Sequence, residues 1–185
     1  MPILYFAYGS NMLPQRLARR CASARIRTRA TLFGFEIAFA KIGRDGSGKA
    51  TLRASADRTS KVHGVVFELH ANDILRLDAI EGRGQGYQRL EGIAVEQHPQ
   101  RSRLHATTYI AEPHHIDAAL HPFDWYLDLV LAGAVCASLP QSYCEWLAAH
   151  PVRTDSEMHR PTRAEALAIL ASISESLSAP DSRRT

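Results

Sequence analysis

The sequence is short of cysteine and of long apolar runs, and both shortages narrow what it can be. Cys21, Cys136 and Cys144 are its three thiols. They are odd in number and form no C-x-x-C pair, which argues against a disulfide framework and fits reduced thiols in a cytosolic protein. No stretch approaches membrane-spanning length, and no basic segment precedes the first apolar residues. Neither a transmembrane helix nor a signal peptide is expected, and a cytoplasmic location follows as the expectation. Net charge is also small: 22 Lys and Arg stand against 19 Asp and Glu, for a formal +3. Arg16, Arg19, Arg20, Arg25, Arg27 and Arg29 do cluster, but no aromatics interleave with them. They read as a solvated face, the first three lying where a helix C-terminus favours cations, and no nucleic-acid partner is expected. No His-Glu-x-x-His helix accompanies His114, His115 and His121, which sit in a stretch carrying Pro113 and Pro122. They read as surface histidines on a loop, and no metal is expected.

The chain has 185 residues, 45% of them hydrophobic, enough for one globular domain with its own core. Its periodicities mix α and β. Strands are expected at 3–8, 30–40, 49–56 and 61–69, with Gly43–Gly48 as a loop and Gly64 allowing a bulge or a close backbone contact. Strands at 87–97 and 103–111 read as a hairpin around Pro99. Helical spacing marks 12–20, with Leu13 and Leu17 on one face, and 71–81, where Ile74, Leu77 and Ile80 recur. Pro122 opens an apolar helix to about Ala137, in which core packing is the plain reading of Trp125, Leu127, Leu129, Val130, Leu131 and Val135. Pro140 starts another helix, and Thr162-Arg-Ala-Glu165 is a capping box for a last one to about Leu177. The division expected is a domain over 1–150, a helical extension packed on it over 151–179, and a flexible tail over 180–185.

Two stretches stand out for chemistry. In Tyr5-Phe-Ala-Tyr8-Gly9-Ser10-Asn11-Met12 an aromatic strand stops at a glycine turn and gives way at once to a helix. Backbone N–H groups without partners converge there with the positive end of the helix dipole, which suits an anion. Gly9 permits a positive φ or a close approach, and Asn11 is a favoured N-cap. A capped turn with no ligand fits the same residues. In Leu77-Asp-Ala-Ile-Glu81-Gly-Arg-Gly-Gln-Gly-Tyr87 a glutamate ends a helix, where negative potential mildly destabilises an ionised carboxylate. The glycines after it leave the carboxyl uncrowded, as an acid–base group requires. An exposed glutamate before a flexible loop is the plainer reading of these residues by themselves. Ser10 lacks the Gly-x-Ser-x-Gly elbow of a serine nucleophile.

Taken together these residues carry a resemblance. Tyr8-Gly9-Ser10-Asn11 after an N-terminal strand and Leu77-Asp-x-x-Glu81-Gly resemble the gamma-glutamylcyclotransferase family (AIG2-like, BtrG-like fold). Pro122-x-x-Trp125-Tyr126, Gly133-Ala134 with Leu139-Pro140-x-x-Tyr143, and the strand Val62-His-Gly-Val-Val-Phe67 extend the likeness from residue 3 to about 148. The resemblance implies an α+β fold with a small barrel-like mixed sheet flanked by helices, and a reaction without metal or cofactor. In that reaction the α-amine of a γ-glutamyl group attacks its own γ-carbonyl, giving 5-oxoproline and a free amine. By motif, Glu81 resembles the catalytic glutamate, and Tyr8, Gly9, Ser10 and Asn11 resemble the loop that holds the substrate, with Tyr87 and Tyr126 as further substrate-binding positions. The expected partner is a small γ-glutamyl compound, and a homodimer is left open. An isopeptide or a carrier-linked intermediate as substrate, and a non-catalytic amino-acid binder on the same fold, stand as alternatives.

Overall fold

The computed structural model describes residues 2–178, and side chains to residue 175. Its strands are β1 (Ile3–Ala7), β2 (Arg25–Phe33), β3 (Phe35–Ile42), β4 (Gly48–Ala54), β5 (Lys61–Leu69), β6 (Tyr87–His98) and β7 (Arg103–Ala111). Its helices are α1 (Pro14–Arg20), α2 (Ala71–Glu81), α3 (Asp124–Cys136), α4 (Gln141–Ala148) and α5 (Pro161–Ser178). Five strands close a barrel in the order β1-β5-β2-β6-β7, and β3 and β4 form a separate antiparallel pair. The barrel shuts where Tyr5 of β1 meets Thr107 of β7 in parallel register. This is the α+β, barrel-like fold that the resemblance implies. None of the helices in the described residues is long and apolar enough to cross a membrane.

The one strand expected over 30–40 is two. Gly34, with φ +75°, breaks it; β2 stays in the barrel while β3 leaves to pair with β4. Aromatic β-prone residues flank Gly34 on both sides, so propensity alone ran across the break. Residues 87–111 do form the expected hairpin, with Tyr87 opposite Ala111. At Gly64 the outcome is close contact: a Cβ there would meet the Ala7 carbonyl oxygen and lie 2.7 Å from the Phe6 ring. The last helix begins at Pro161, so Thr162 lies inside it rather than capping it. Pro161 fits that first position because its missing N–H has no helical acceptor to lose. The expected tail over 180–185 lies outside the described residues.

Phe6, Met12, Leu13, Leu17, Phe67, Leu69, Leu77 and Leu129 are fully buried, and they join β1, β5, α1, α2 and α3 into one core. Residues beyond 150 are tied to it as well. Ala166 and Ile169 of α5 are fully buried. Before α5, the Trp125 indole N–H donates to Asp155 over 3.0 Å, and Arg160 pairs with the same carboxylate at 2.8 Å.

Candidate active site

A cleft of about 670 Å³ opens between the end of β1, the C-terminus of α2, the β3–β4 hairpin and the start of α5. Tyr8, Gly9, Ser10, Asn11, Glu81, Tyr87 and Tyr126 all line it, so the fold brings every sequence-expected site residue to one place.

The turn after β1 is a single 3-10 turn over Ser10–Met12. Its first backbone bond runs from the Met12 N–H to the Gly9 carbonyl over 2.9 Å, which puts the Ser10 and Asn11 amides ahead of any acceptor within the turn. Gly9 has φ −110°, so its role is not a left-handed turn. A Cβ there would sit 3.0 Å from the Ala50 Cβ and 3.6 Å from the Tyr126 hydroxyl. The glycine lets the turn pack directly on β4. Nor does Asn11 cap a helix: α1 starts at Pro14, and the residue before it is Leu13. The Asn11 amide turns into the cleft instead. Its Nδ2 donates to the Tyr5 hydroxyl and to Glu81 Oε1, each over 3.0 Å, and its Oδ1 accepts from Arg20 over 3.1 Å.

Glu81 is the last residue of α2. Gly82 follows at φ +68° and ψ +51°, a left-handed C-cap that a side chain would strain, and the chain turns away and leaves the carboxylate in the cleft. Arg20 reaches it from α1, donating to Oε1 over 3.0 Å, which offsets the unfavourable end of the helix dipole. Arg20 and Asn11 both engage Oε1. Oε2 has no hydrogen bond to any described residue, and the side chain is 16% exposed, so one carboxylate oxygen remains open to a ligand.

The tyrosines serve the site through β4. The register between β3 and β4 shifts between Ala38 and Lys41, leaving Ala50 without a ladder partner. Tyr87 and Tyr126 supply the missing bonds: the Tyr87 hydroxyl donates to the Ala50 carbonyl over 2.7 Å, and the Tyr126 oxygen accepts the Ala50 N–H over 3.1 Å. The Tyr8 hydroxyl donates to the Tyr109 carbonyl over 2.6 Å. Burial raises the pKa of Tyr8, Tyr87 and Tyr126 above the ordinary phenol value, which keeps all three protonated. A layer behind, Asp78 is buried, accepts from the Tyr109 hydroxyl over 2.6 Å, and pairs with Arg89 at 2.7 Å.

The arginine stretch does not behave as a solvated face throughout. Arg16 is 6% exposed, and its Nε donates to the Ser10 hydroxyl over 3.1 Å; Arg20 holds Glu81. The signal was present in the spacing, because Leu13, Arg16, Leu17 and Arg20 recur at i, i+3, i+4 and i+7. The two arginines therefore share the buried face of α1 with the two leucines. Lys41 and Lys49 were also missed, since nothing in the sequence ties the β3–β4 hairpin to the turn after β1. Lys49 pairs with Asp45 at 2.7 Å beneath the rings of Trp125 and Tyr126. Lys41 lies 5.1 Å from the centre of the Tyr87 ring. Burial lowers the basicity of both lysines. Among the described residues no group of three or more His, Cys, Asp or Glu side chains is placed to hold a metal ion.

Comparison with known proteins bears on the family and the fold. A family model described as the AIG2-like family matches residues 61–147. The gamma-glutamylcyclotransferase of Mus musculus is 33% identical over 156 residues, spanning 79% of this chain and 77% of that protein. A solved gamma-glutamyl cyclotransferase structure superposes with a TM-score of 0.82 at 25% identity, covering 93% of this chain and 99% of its own. An uncharacterized protein of Homo sapiens superposes with a TM-score of 0.80 at 25% identity, covering 90% and 98%. The relationship in sequence to the mouse protein, and the agreement of fold over nearly the whole chain, place it: this chain belongs to the gamma-glutamylcyclotransferase family.

Proposed function

We propose that this enzyme cyclises the glutamyl group of γ-glutamyl amines or γ-glutamyl amino acids, releasing 5-oxoproline and a free amine, with Glu81 as base and then acid. The supporting observation is the Glu81 carboxylate itself: it stands in the cleft, oriented through Oε1 by Asn11 and Arg20, with Oε2 open. The α-nitrogen attacks the γ-carbonyl carbon and becomes positively charged as the N–C bond forms. Glu81 takes a proton from that nitrogen and returns it to the departing nitrogen as the old C–N bond breaks. The products balance the starting amide, and no water is consumed. A shuttling carboxylate of this kind contributes about 10²–10⁴-fold, and holding the glutamyl chain folded for ring closure contributes up to about 7–11 kcal/mol. The free amides at the start of the Ser10–Met12 turn would face the developing oxyanion.

A serine nucleophile is disfavoured. The Ser10 hydroxyl accepts from the Arg16 guanidinium, a cation that cannot take up its proton. Mass spectrometry after incubation with a panel of γ-glutamyl compounds tests the reading. We expect 5-oxoproline and the free amine in equal amounts, and no 5-oxoproline from N-acetylated substrates, whose amide nitrogen is a poor nucleophile. Glutamate in place of 5-oxoproline would mean hydrolysis and would overturn it.

A further inference from the structure

Of the six arginines and lysines lining the cleft, three pair with a carboxylate. Arg20 pairs with Glu81, Lys49 with Asp45, and Arg160 with Asp155 and Glu157. Arg16 is different. Its Nε rests on Ser10, but neither Nη1 nor Nη2 donates to any described residue, and Nη1 is wholly buried. Glu165 and Glu81 act on it only from a distance, beyond the 4.0 Å of a salt bridge. The guanidinium nevertheless lines the cleft. Burying a charge without a partner is strongly unfavourable. Burial, with the like charge of Arg20, lowers the pKa of Arg16 to about 10, so it still carries its charge at neutral pH. A charged fork held ready and unpaired beside the reactive carboxylate is built for an anion that arrives with the substrate.

We infer that Arg16 receives the α-carboxylate of the glutamyl group and so sets the enzyme's requirement for a free carboxylate there. This rests on the γ-glutamyl reading above. The placement follows from the turn: Asn11 touches Glu81, and the adjacent Ser10 touches Arg16. In the substrate the α-amine and the α-carboxylate sit on the same carbon. A substrate whose amine meets Glu81 therefore carries its carboxylate toward the next residue of the turn, where the free edge of the Arg16 guanidinium can accept it through two parallel N–H···O bonds.

Two measurements on the intact protein test this, with wild type, Arg16→Met and Arg16→Lys compared. The first is kcat/KM for γ-glutamyl-alanine against its α-methyl ester. The second is calorimetric binding of glutaryl-alanine, which keeps the carboxylate but lacks the amine needed to cyclise, against the ester at its glutaryl end. Wild type should prefer the free acid by at least about thirtyfold in both, as expected of hydrogen bonds between charged groups. Arg16→Met should bring both ratios close to one while leaving the esters nearly unaffected, and Arg16→Lys should be intermediate. Arg16→Met should also melt no lower than wild type, because it removes an unpaired buried charge; a merely structural arginine would lower the melting temperature and weaken acid and ester alike. An unchanged acid-to-ester ratio in Arg16→Met would overturn the assignment while leaving the cyclisation reading intact. A preference lost in Arg16→Met, in a protein that makes no 5-oxoproline, would leave the carboxylate site standing and remove the proposed reaction instead.

Discussion

Tyr87 and Tyr126 hold one residue of β4 from two directions: the Tyr87 hydroxyl donates to the Ala50 carbonyl, and the Tyr126 oxygen accepts the Ala50 N–H. Ala50 is where the β3–β4 ladder skips a pair, so the tyrosines take the place of strand bonds. The Ala50 side chain then forms the surface against which Gly9 packs. The tyrosines thus fix the floor under the turn that carries Ser10 and Asn11.

Tyr87→Phe keeps the ring and removes the donor, leaving the buried Ala50 carbonyl short of a partner. The expected cost is about 1–3 kcal/mol, or about 3–10 °C in melting temperature for a chain of this size. Turnover should fall modestly and not vanish, since the hydroxyl is engaged with backbone. Thermal unfolding followed by circular dichroism, with initial rates on the same samples, checks both statements. Loss of all activity at unchanged stability would assign the hydroxyl to the chemistry instead.

Gly9→Ala brings a methyl group to 3.0 Å from the Ala50 Cβ. The backbone is unstrained at φ −110°, so the effect should come from displacing the turn by a few tenths of an ångström. A drop of about tenfold or more in kcat/KM is expected, with little change in stability, because positioning errors of this order are costly to catalysis. Adding Ala50→Gly removes the opposing methyl group and should restore part of the rate. Strict additivity of the two substitutions would show that this contact is not the cause.

Asp155 gives a pH signature for the segment between α4 and α5. The hydrogen bond from Arg160 lowers its carboxyl from 3.8 to about 2, burial opposes this, and the Trp125 indole adds to it. Between those two values the unfolded chain binds the proton and the folded one does not. The pair's stabilisation is therefore fully present above pH 4 or so and is lost as pH falls through about 2. Asp155→Asn should melt below wild type at pH 7, and the gap should close across that acid window. A gap that stays constant down to pH 2 would mean that packing, not charge, accounts for the effect.

The parts of the site that announce themselves in sequence are those with a local cause. Gly9-Ser10-Asn11 ends an aromatic strand, and Glu81 ends a periodic helix at Gly82, so their places follow from neighbours in the chain. The pairing of β3 with β4 was hidden because Gly34 divides a stretch that is β-prone on both sides. Asn11 looked like a helix cap because its amide chemistry suits one. Its true partners, Tyr5, Glu81 and Arg20, come from β1, α2 and α1, and only the packed core brings them together. Arg16 and Arg20 were half legible. Their spacing with Leu13 and Leu17 marks a buried face, but what that face meets depends on where α2 and the Ser10–Met12 turn come to rest.

The central claim is that Glu81 moves the proton, and Glu81→Gln tests it most directly. The amide keeps the size and can still accept from Asn11 and Arg20, but it cannot take up a proton. Measured on a substrate that wild type converts to 5-oxoproline, the account predicts a loss in kcat of at least about a hundredfold, with the dissociation constant of glutaryl-alanine within a few-fold of wild type. Near-normal turnover by Glu81→Gln on that substrate would contradict it.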